Sequence, residues 1–264
     1  MHTYIVHRGR NSALIRSELH RGVRLLTLDR PEALNAFNSD QFELMAERMI
    51  EAQDDPATRV VALTGAGRAF SAGADLSGRP PSGRTYKYGF RGLVDVVIDF
   101  PKPFIVAANG LGVGWGATVL GLADTAFMAE SARLRCPFST LGLTAEGAST
   151  YTFPRIMGPQ AAARFLLGAE WWSAAQCKAD RLVLDVLPDE GFLERVLAYA
   201  RELAKLPLAS LVETKRLLVG PHRAGMHEAN QQENAGLARL SGGPANQEAV
   251  AAFREKRQAD FSQL

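Results

Sequence analysis

The chain has 264 residues, of which 47% are hydrophobic and 22% charged, and its formal net charge is +2. This length suits one large domain, or one domain with an appendage, and the balanced charge gives no reason to expect nucleic-acid binding. The two cysteines, Cys136 and Cys177, form neither a disulfide framework nor a metal-binding spacing, so a reducing compartment is expected. No apolar run approaches the length of a membrane span, and residues 1–8 lack the apolar region of a signal peptide.

Short apolar runs alternate with amphipathic stretches up to about residue 150. Runs rich in β-branched residues predict buried strands, and apolar residues at helical spacing after a cap at Ser39 or Asp40 predict a helix. The strands are predicted at residues 23–28, 60–64, 104–108 and 125–129, and the helix includes residues 42–50. Strands that alternate with helices indicate an α/β core.

From about residue 160 the pattern changes to successive helices with few strands between them. These helices are predicted at residues 161–167, 193–206, 211–219, 228–240 and 247–257. Earlier in the chain, residues 77–90 are rich in Gly, Pro and Arg without periodicity, which predicts a mobile loop. We therefore expect an α/β core over residues 1–200, followed by a helical C-terminal region over residues 201–264.

Two glycine-rich turns follow predicted strands, at residues 65–76 and 110–116. Enolate chemistry on a thioester needs hydrogen-bond donors where the carbonyl oxygen gains charge, and glycine turns at helix N-termini supply such N–H groups. The glycines alone are equally compatible with purely structural turns. A dinucleotide site is disfavoured, because the alternate glycines of the second turn lack the GxGxxG spacing.

Four segments add to these turns: RPEALNA at residues 30–36, FSAGADL at 70–76, PFIVAANG at 103–110, and FREKR with Phe261 near the end. Together they resemble the crotonase (enoyl-CoA hydratase/isomerase) superfamily, in order from about residue 25 to 261. Residues 143–154 and a bulky Trp115 in the second turn resemble its peroxisomal-type Δ3,Δ2-enoyl-CoA isomerase branch. The resemblance implies the crotonase fold, a spiral of ββα units followed by a helical region that builds trimers.

The resemblance also implies a site. The backbone N–H groups of Ala74 and Trp115 would form the oxyanion hole, and Glu146, in the tripeptide Ala145-Glu146-Gly147, would be the acid–base residue. The coenzyme A moiety would lie beside the two stretches made of Ala33, Leu34, Ala72, Gly73, Ala74, Asp75 and Leu76. Without the resemblance, Glu146 would be interpreted as an exposed loop carboxylate and Asp75 as a helix cap.

The positions that carry two glutamates in the hydratases of this family read Thr118 and Phe138 here. Neither side chain can move a proton from carbon, so the resemblance implies double-bond isomerisation by Glu146. A low-polarity pocket bounded by Phe138 and Phe153 would raise the pKa of Glu146. The alternatives are an enoyl-CoA hydratase in which Glu146 activates water alone, and a non-catalytic acyl-CoA-binding protein.

The implied partners are an acyl-CoA thioester and further copies of the same chain, as a homotrimer or a dimer of trimers with the C-terminal tail against a neighbouring subunit. No metal or redox cofactor is expected, since coenzyme A is part of the substrate. An excess of arginine over lysine favours a bacterial cytoplasmic protein. The terminal Ser262-Gln263-Leu264 only faintly matches a peroxisomal signal.

Overall fold

The computed structural model describes residues 14–75 and 85–264. Its strands are β1 Ile15–His20, β2 Val23–Leu28, β3 Val60–Gly65, β4 Ala69–Ser71, β5 Phe104–Ala108, β6 Leu111–Val113, β7 Thr125–Ala129, β8 Arg133–Arg135, β9 Trp171–Ser173 and β10 Asp185–Leu187. Its α-helices are α1 Ser39–Asp54, α2 Gly89–Asp99, α3 Trp115–Thr118, α4 Ser149–Met157, α5 Pro159–Gly168, α6 Ala174–Ala179, α7 Phe192–Lys205, α8 Leu208–Leu240 and α9 Pro244–Glu255. Short 3-10 helices cover Pro31–Ala33, Val119–Leu122 and Ser139–Leu141.

The strands form two sheets that the chain visits alternately. The larger sheet has the order β1-β2-β3-β5-β7-β10 and the smaller β4-β6-β8-β9. In each of the successive pairs β3–β4, β5–β6 and β7–β8, the first strand enters the larger sheet and the second the smaller one. Apart from the antiparallel pairs β1–β2 and β8–β9, the pairing is parallel. This alternation is the predicted spiral of ββα units, so the fold class is confirmed.

The predicted strands lie at the centre of the larger sheet. Every residue of β3 and β5 is buried, which explains why these strands are continuous apolar runs without alternation. The predicted cap of α1 was wrong by one residue. Asn38 is the cap, because its Oδ1 accepts the Gln41 N–H at 2.9 Å and the Gln41 side chain bonds back to the Asn38 N–H.

The C-terminal helices also differ from prediction in one respect. The helices expected at residues 211–219 and 228–240 are one continuous 33-residue helix, α8. The helix continues through Gly220 and Pro221. Because both residues are exposed, water can solvate the backbone carbonyl that proline leaves unbonded. Near its start, the α8 residue Lys215 is tied to the core through Asp124, with Nζ and Oδ2 2.7 Å apart.

The division at residue 200 falls within α7, which runs through it without interruption, and the two-unit description stays a prediction. The proposed mobile loop at residues 77–90 lies largely outside the described residues, and its last two residues begin α2. Among the helices that the structure describes, none combines the length and apolar character needed to cross a membrane.

Candidate active site

The first glycine turn follows β3 and is held by two asparagines. The fully buried Asn35 donates to the carbonyls of Ala66 and Ala69 at 2.9 and 2.8 Å. Asn109 accepts the Gly65 N–H at 3.0 Å and donates to the Gly67 carbonyl at 3.0 Å. Side-chain amides therefore fix the first part of the turn, residues 65–69.

Further along the same turn, the chain runs beside Phe37, and hydrogen bonds to Phe37 orient Ala74. Phe37 donates to the Gly73 carbonyl at 2.7 Å and accepts the Asp75 N–H at 2.8 Å. In such a parallel bridge the residue between these two points its own N–H the other way. Within the described residues, the Ala74 N–H donates no hydrogen bond and the residue is exposed, so this donor is open.

The second glycine turn ends in α3. Gly114 has φ +54° and ψ −120°, a conformation that only glycine adopts readily, and Trp115 begins the helix. The first N–H groups of a helix have no partner within it. The Trp115 N–H has no acceptor in the part of the chain that the structure describes. Trp115 thus serves as a helix-starting residue, its indole buried against the Phe90 ring at 5.6 Å.

The two turns are in direct backbone contact. A Cβ added at Gly73 would lie 2.5 Å from the Val113 carbonyl oxygen, and one added at Gly116 would lie 2.4 Å from the Ser71 carbonyl oxygen. Only glycine permits these approaches. The structure therefore brings Ala74 and Trp115, each next to a contact glycine, onto one pair of adjoining turns.

Glu146 lies over the second turn. Its Oε1 is 3.5 Å from the position that a Cβ at Gly114 would occupy, and the same position is 4.0 Å from Gly73 Cα. The next residue, Gly147, packs on α3: a Cβ there would fall 2.6 Å from Thr118 Oγ1 and 3.5 Å from Trp115 Cε3. The carboxylate and both turns thus meet at Gly114.

The surroundings of Glu146 disfavour its charge. Burial, and secondarily the negative charge of Glu233, raise the pKa of Glu146 from 4.5 to about 8. The residue keeps a partly accessible surface, although protein atoms surround its carboxylate. A carboxyl group with a pKa near neutrality can both take and return a proton at working pH.

Sequence reasoning missed Glu233, which lies on α8 and is only 4% exposed. Its carboxylate accepts the Ala148 N–H at 2.7 Å, the Thr150 N–H at 2.9 Å and the Thr150 hydroxyl at 2.7 Å. One signal was available: Met226, Asn230 and Glu233 have i, i+4, i+7 spacing, which places polar residues on a buried helix face.

The two positions without glutamate have different surroundings. Thr118 is fully buried and its hydroxyl lies against Gly147, so the turn that carries Glu146 covers it. Phe138 is 5% exposed and lines an apolar cavity of about 430 Å³ together with Leu143, Thr144, Ala145, Leu166 and Leu240, among others. Phe153 instead stacks on Phe165 in the core at 5.9 Å and is not among the residues that line this cavity.

The residues predicted to hold coenzyme A lie together, as far as the structure describes them. The Ala72 N–H bonds to the Leu34 carbonyl at 2.9 Å, and Ala33 precedes Leu34 in the 3-10 helix. Asp75 pairs with Arg30, with Nη2 and Oδ2 3.1 Å apart. Leu76 lies outside the described residues, as would a helix that Asp75 caps.

A cavity of about 260 Å³ adjoins this group and carries positive charge. Its lining includes Leu34, Arg68, Ser131 and Arg133. Both arginines are exposed, and the Arg133 guanidinium lies over the Trp171 ring at 5.1 Å. Charge of this sign suits the phosphates of a nucleotide.

Comparison with known proteins bears on the same residues. The family model described as Enoyl-CoA hydratase/isomerase matches residues 18–264. The chain belongs to the enoyl-CoA hydratase/isomerase family. A solved enoyl-CoA hydratase/isomerase from Pseudoalteromonas atlantica T6c superposes with a TM-score of 0.91 at 29% identity, over 94% of this chain and 100% of that one.

Both isomerases and hydratases occur among the similar members of this family. The 1,2-epoxyphenylacetyl-CoA isomerase of Escherichia coli is 33% identical over 94% of this chain and 98% of that protein. The human enoyl-CoA delta isomerase 2 is 35% identical over 80% of this chain but only 56% of its own length, so the chain spans about half of that relative. The 2,3-dehydroadipyl-CoA hydratase of E. coli is 31% identical over 95% of this chain and 98% of that protein.

Within the described residues, no group of three or more His, Cys, Asp or Glu side chains could hold a metal ion. The expectation that the enzyme uses no metal or redox cofactor stays a prediction. The predicted homotrimer or dimer of trimers likewise stays a prediction. In this chain, α9 packs on its own 3-10 helix Ser139–Leu141, with Asn246 Nδ2 2.8 Å from the Leu141 carbonyl oxygen.

Proposed function

We propose that the protein is an enoyl-CoA isomerase that moves a 3-enoyl-CoA double bond to the 2-trans position. The observation that carries this proposal is that Glu146 is the one carboxylate that the described residues place above the paired glycine turns. Thr118 and Phe138 occupy the two positions at which, by the family resemblance, hydratases carry glutamate. A 1,3-proton shift needs one group that alternates between base and acid. Hydration requires a water molecule to be activated as well.

In this reaction, Glu146 transfers the proton and two backbone N–H groups stabilise the negative charge. Glu146 removes a proton from C2, and the negative charge that develops moves onto the thioester oxygen. The N–H groups of Ala74 and Trp115 stabilise this oxygen, an interaction typically worth about 3 kcal/mol per donor. Protonated Glu146 then delivers the same proton to C4, and the double bond moves to C2–C3.

Two cavities support an acyl-CoA substrate. The cavity that contains Arg68 and Arg133 suits the anionic end of coenzyme A. The apolar cavity next to Ala145 suits a hydrocarbon acyl chain, since its lining is largely aliphatic and aromatic. Glu146 directly follows Ala145, one of the residues that line the apolar cavity.

Hydration is the second candidate, because the E. coli 2,3-dehydroadipyl-CoA hydratase is 31% identical over nearly the whole chain. In that reaction Glu146 would activate a water molecule without the help of a second carboxylate. Parallel assays with a 3-enoyl-CoA and a 2-enoyl-CoA, such as the hexenoyl esters, separate the two reactions. The proposed function requires the first substrate to be consumed faster than the second.

Glu146→Gln tests the assignment of the acid–base residue. The amide cannot accept a proton from carbon, so kcat for isomerisation should fall on the order of 1,000-fold. Affinity for the saturated hexanoyl-CoA, measured by calorimetry, should stay within about threefold because the amide has the same shape. Glu228→Gln, at an exposed position of α8, is the control. If Glu146→Gln retains more than a few per cent of wild-type activity, Glu146 is not the base.

A further inference from the structure

The turn that carries Glu146 has an unusual backbone. Gly147 has φ +70° and Ala148 has φ +56°, so two successive residues are left-handed before α4 begins at Ser149. Residues with a Cβ rarely adopt this conformation. The turn is closed by the Ser149 N–H, which donates to the Glu146 carbonyl at 3.2 Å.

Glu233 supplies hydrogen-bond acceptors for backbone N–H groups that have no acceptor within the turn. Its two carboxylate oxygens accept the N–H groups of Ala148 and Thr150, which lie at the start of α4 and have no acceptor within the helix. The left-handed Ala148 is therefore fixed by a side chain that lies 85 residues further along the chain. The adjoining α8 residue Gly236 approaches closely as well, since a Cβ there would lie 2.8 Å from Thr144 Cγ2.

Glu233 also adds a charge behind Glu146. Burial raises the pKa of Glu233 above its usual value, and the two backbone N–H groups, one to each oxygen, oppose this shift because they favour the charged form. Two other ionisable groups lie on neighbouring elements. Burial, and secondarily the charge of Glu146, hold the pKa of the Cys136 thiol well above its usual range. Arg135, whose carbonyl accepts the Gly114 N–H, directs its guanidinium to the Ala169 carbonyl instead.

We propose that Glu233 is the positioning residue of Glu146: it fixes the left-handed turn and places a second negative charge behind the catalytic carboxylate. This inference rests on the proposed function, because it assigns Glu233 a role only through Glu146. The charge favours the protonated form of Glu146, the form that returns the proton to C4. The hydrogen bonds keep the carboxylate over Gly114 during both proton transfers.

The chain contains a second buried carboxylate with the same bonding pattern, which serves as a matched control. Glu43 on α1 is 7% exposed and accepts the N–H groups of Lys87, Tyr88 and Gly89 at 2.8, 2.8 and 3.0 Å, at the start of α2. Replacing either glutamate by glutamine removes a buried charge and leaves a backbone N–H opposite an amide group. Only at Glu233 does the change lie next to Glu146.

The test is the pH dependence of isomerisation in Glu233→Gln. In the wild type, kcat/KM for 3-hexenoyl-CoA should rise with pH through about 8, because Glu146 must be unprotonated to act as base. Without the charge at Glu233, this rise should move to lower pH by about half a unit or more. Loss of the hydrogen bonds should lower kcat on the order of tenfold with little change in KM.

Two further variants separate charge from position. Glu233→Asp keeps the charge but shortens the side chain, so kcat should fall while the pH midpoint stays near that of the wild type. This variant also keeps the inference testable if Glu233→Gln does not fold. Glu43→Gln should lower thermal stability without moving the pH midpoint. An unmoved midpoint in Glu233→Gln, or an equal shift in Glu43→Gln, would overturn the inference.

An infrared titration measures the pH midpoint of Glu146 ionisation without relying on enzyme activity. The protonated-carboxyl band that disappears in Glu146→Gln reports the ionisation of Glu146 directly, and its midpoint should fall in Glu233→Gln. If Glu146→Gln remains active, the proposed function fails, whatever the infrared band shows. If Glu146→Gln is inactive but the band midpoint is unmoved by Glu233→Gln, only the role of Glu233 fails.

Discussion

The glycine turns and the Glu146 turn meet at Gly114, yet they are held in place by different means. The glycine turns are fixed by backbone against backbone, as where Gly73 approaches the Val113 carbonyl. The Glu146 turn is fixed by the side chain of Glu233, and the 3-10 helix Ser139–Leu141 that precedes it is fixed by Asn246. The proposed oxyanion donors therefore belong to a part of the fold that cannot shift without losing backbone packing. The proposed acid–base group lies on a part whose position depends on a few polar side chains.

Gly73→Ala should have the largest effect, since it breaks the contact between the two glycine turns. The added methyl group would lie 2.5 Å from the Val113 oxygen at a residue with φ +80°. We expect a loss of stability on the order of 3–4 kcal/mol and a fall in kcat/KM of at least about 100-fold, because the Ala74 and Trp115 donors separate. Chemical denaturation and initial rates measure the two effects.

Gly191→Ala is the control for backbone strain alone. Gly191 has a similar φ of +69°, but the nearest atom to an added Cβ is Arg195 Nε at 4.0 Å. This variant should lose on the order of 1 kcal/mol and keep wild-type activity. Equal losses of activity in both glycine variants would mean that contact between the turns is not what sustains catalysis.

Burial of the Glu146 carboxyl group should make the stability of the folded chain depend on pH. The folded chain holds a proton on Glu146 up to about pH 8, whereas the unfolded chain releases it near pH 4.5. The stability from this group is therefore complete below about pH 4.5 and is lost as pH rises through about 8. Glu146→Gln, which cannot ionise, should be more stable than the wild type at pH 9 by on the order of 2–3 kcal/mol.

Urea unfolding at pH 5 and pH 9 checks this expectation, with Glu228→Gln for comparison. The stabilising effect of Glu146→Gln should be present at pH 9 and small at pH 5. A stability difference that is the same at both pH values would show that Glu146 ionises in the folded chain as readily as in the unfolded one.

Asn246→Ala should have the smallest effect and tests the side-chain support of the 3-10 helix that precedes the Glu146 turn. Asn246 bridges the Leu141 carbonyl and the Gly242 N–H, at 2.8 and 2.9 Å. Its loss should cost about 1 kcal/mol and lower kcat a few-fold, with the KM for 3-hexenoyl-CoA nearly unchanged. Within the described residues, the side chain of the neighbouring Gln247 donates to the Gly242 carbonyl and does not bond to Leu141, so Gln247→Ala is the control. If the two variants have equal kcat, α9 does not support the catalytic turn.

The sequence allowed prediction of the elements that depend on local chemistry. Residues 104–108 and 125–129 became β5 and β7 without a change of bounds, because fully buried parallel strands are short β-branched and apolar runs. Trp115 is not among the residues with positive φ, since Gly114 takes that conformation, and this is expected because a bulky side chain disfavours it. Glu146 was placed by its family resemblance; as a lone glutamate it would have been assigned to the surface.

What could not be predicted depends on distant contacts. The pair formed by Glu233 and Ala148 joins residues whose local patterns are unrelated, and Ala148 itself carries no sign of a left-handed conformation. The continuity of α8 through Pro221 was also missed, since tertiary packing outweighs one lost hydrogen bond. Local sequence propensity predicts neither the contact between Glu233 and Ala148 nor the continuity of α8 through Pro221.

The unbroken α8 has a consequence for how this family can vary. A helix of 33 residues is about 50 Å long, and its rigid rise sets the distance from Lys215, paired with Asp124, to Glu233. One inserted residue between them would turn Glu233 by about 100° away from Ala148. Even a whole inserted turn, which restores the rotation, would move Glu233 about 5.4 Å along the axis, so an insertion in this stretch would have to be offset by a bulge.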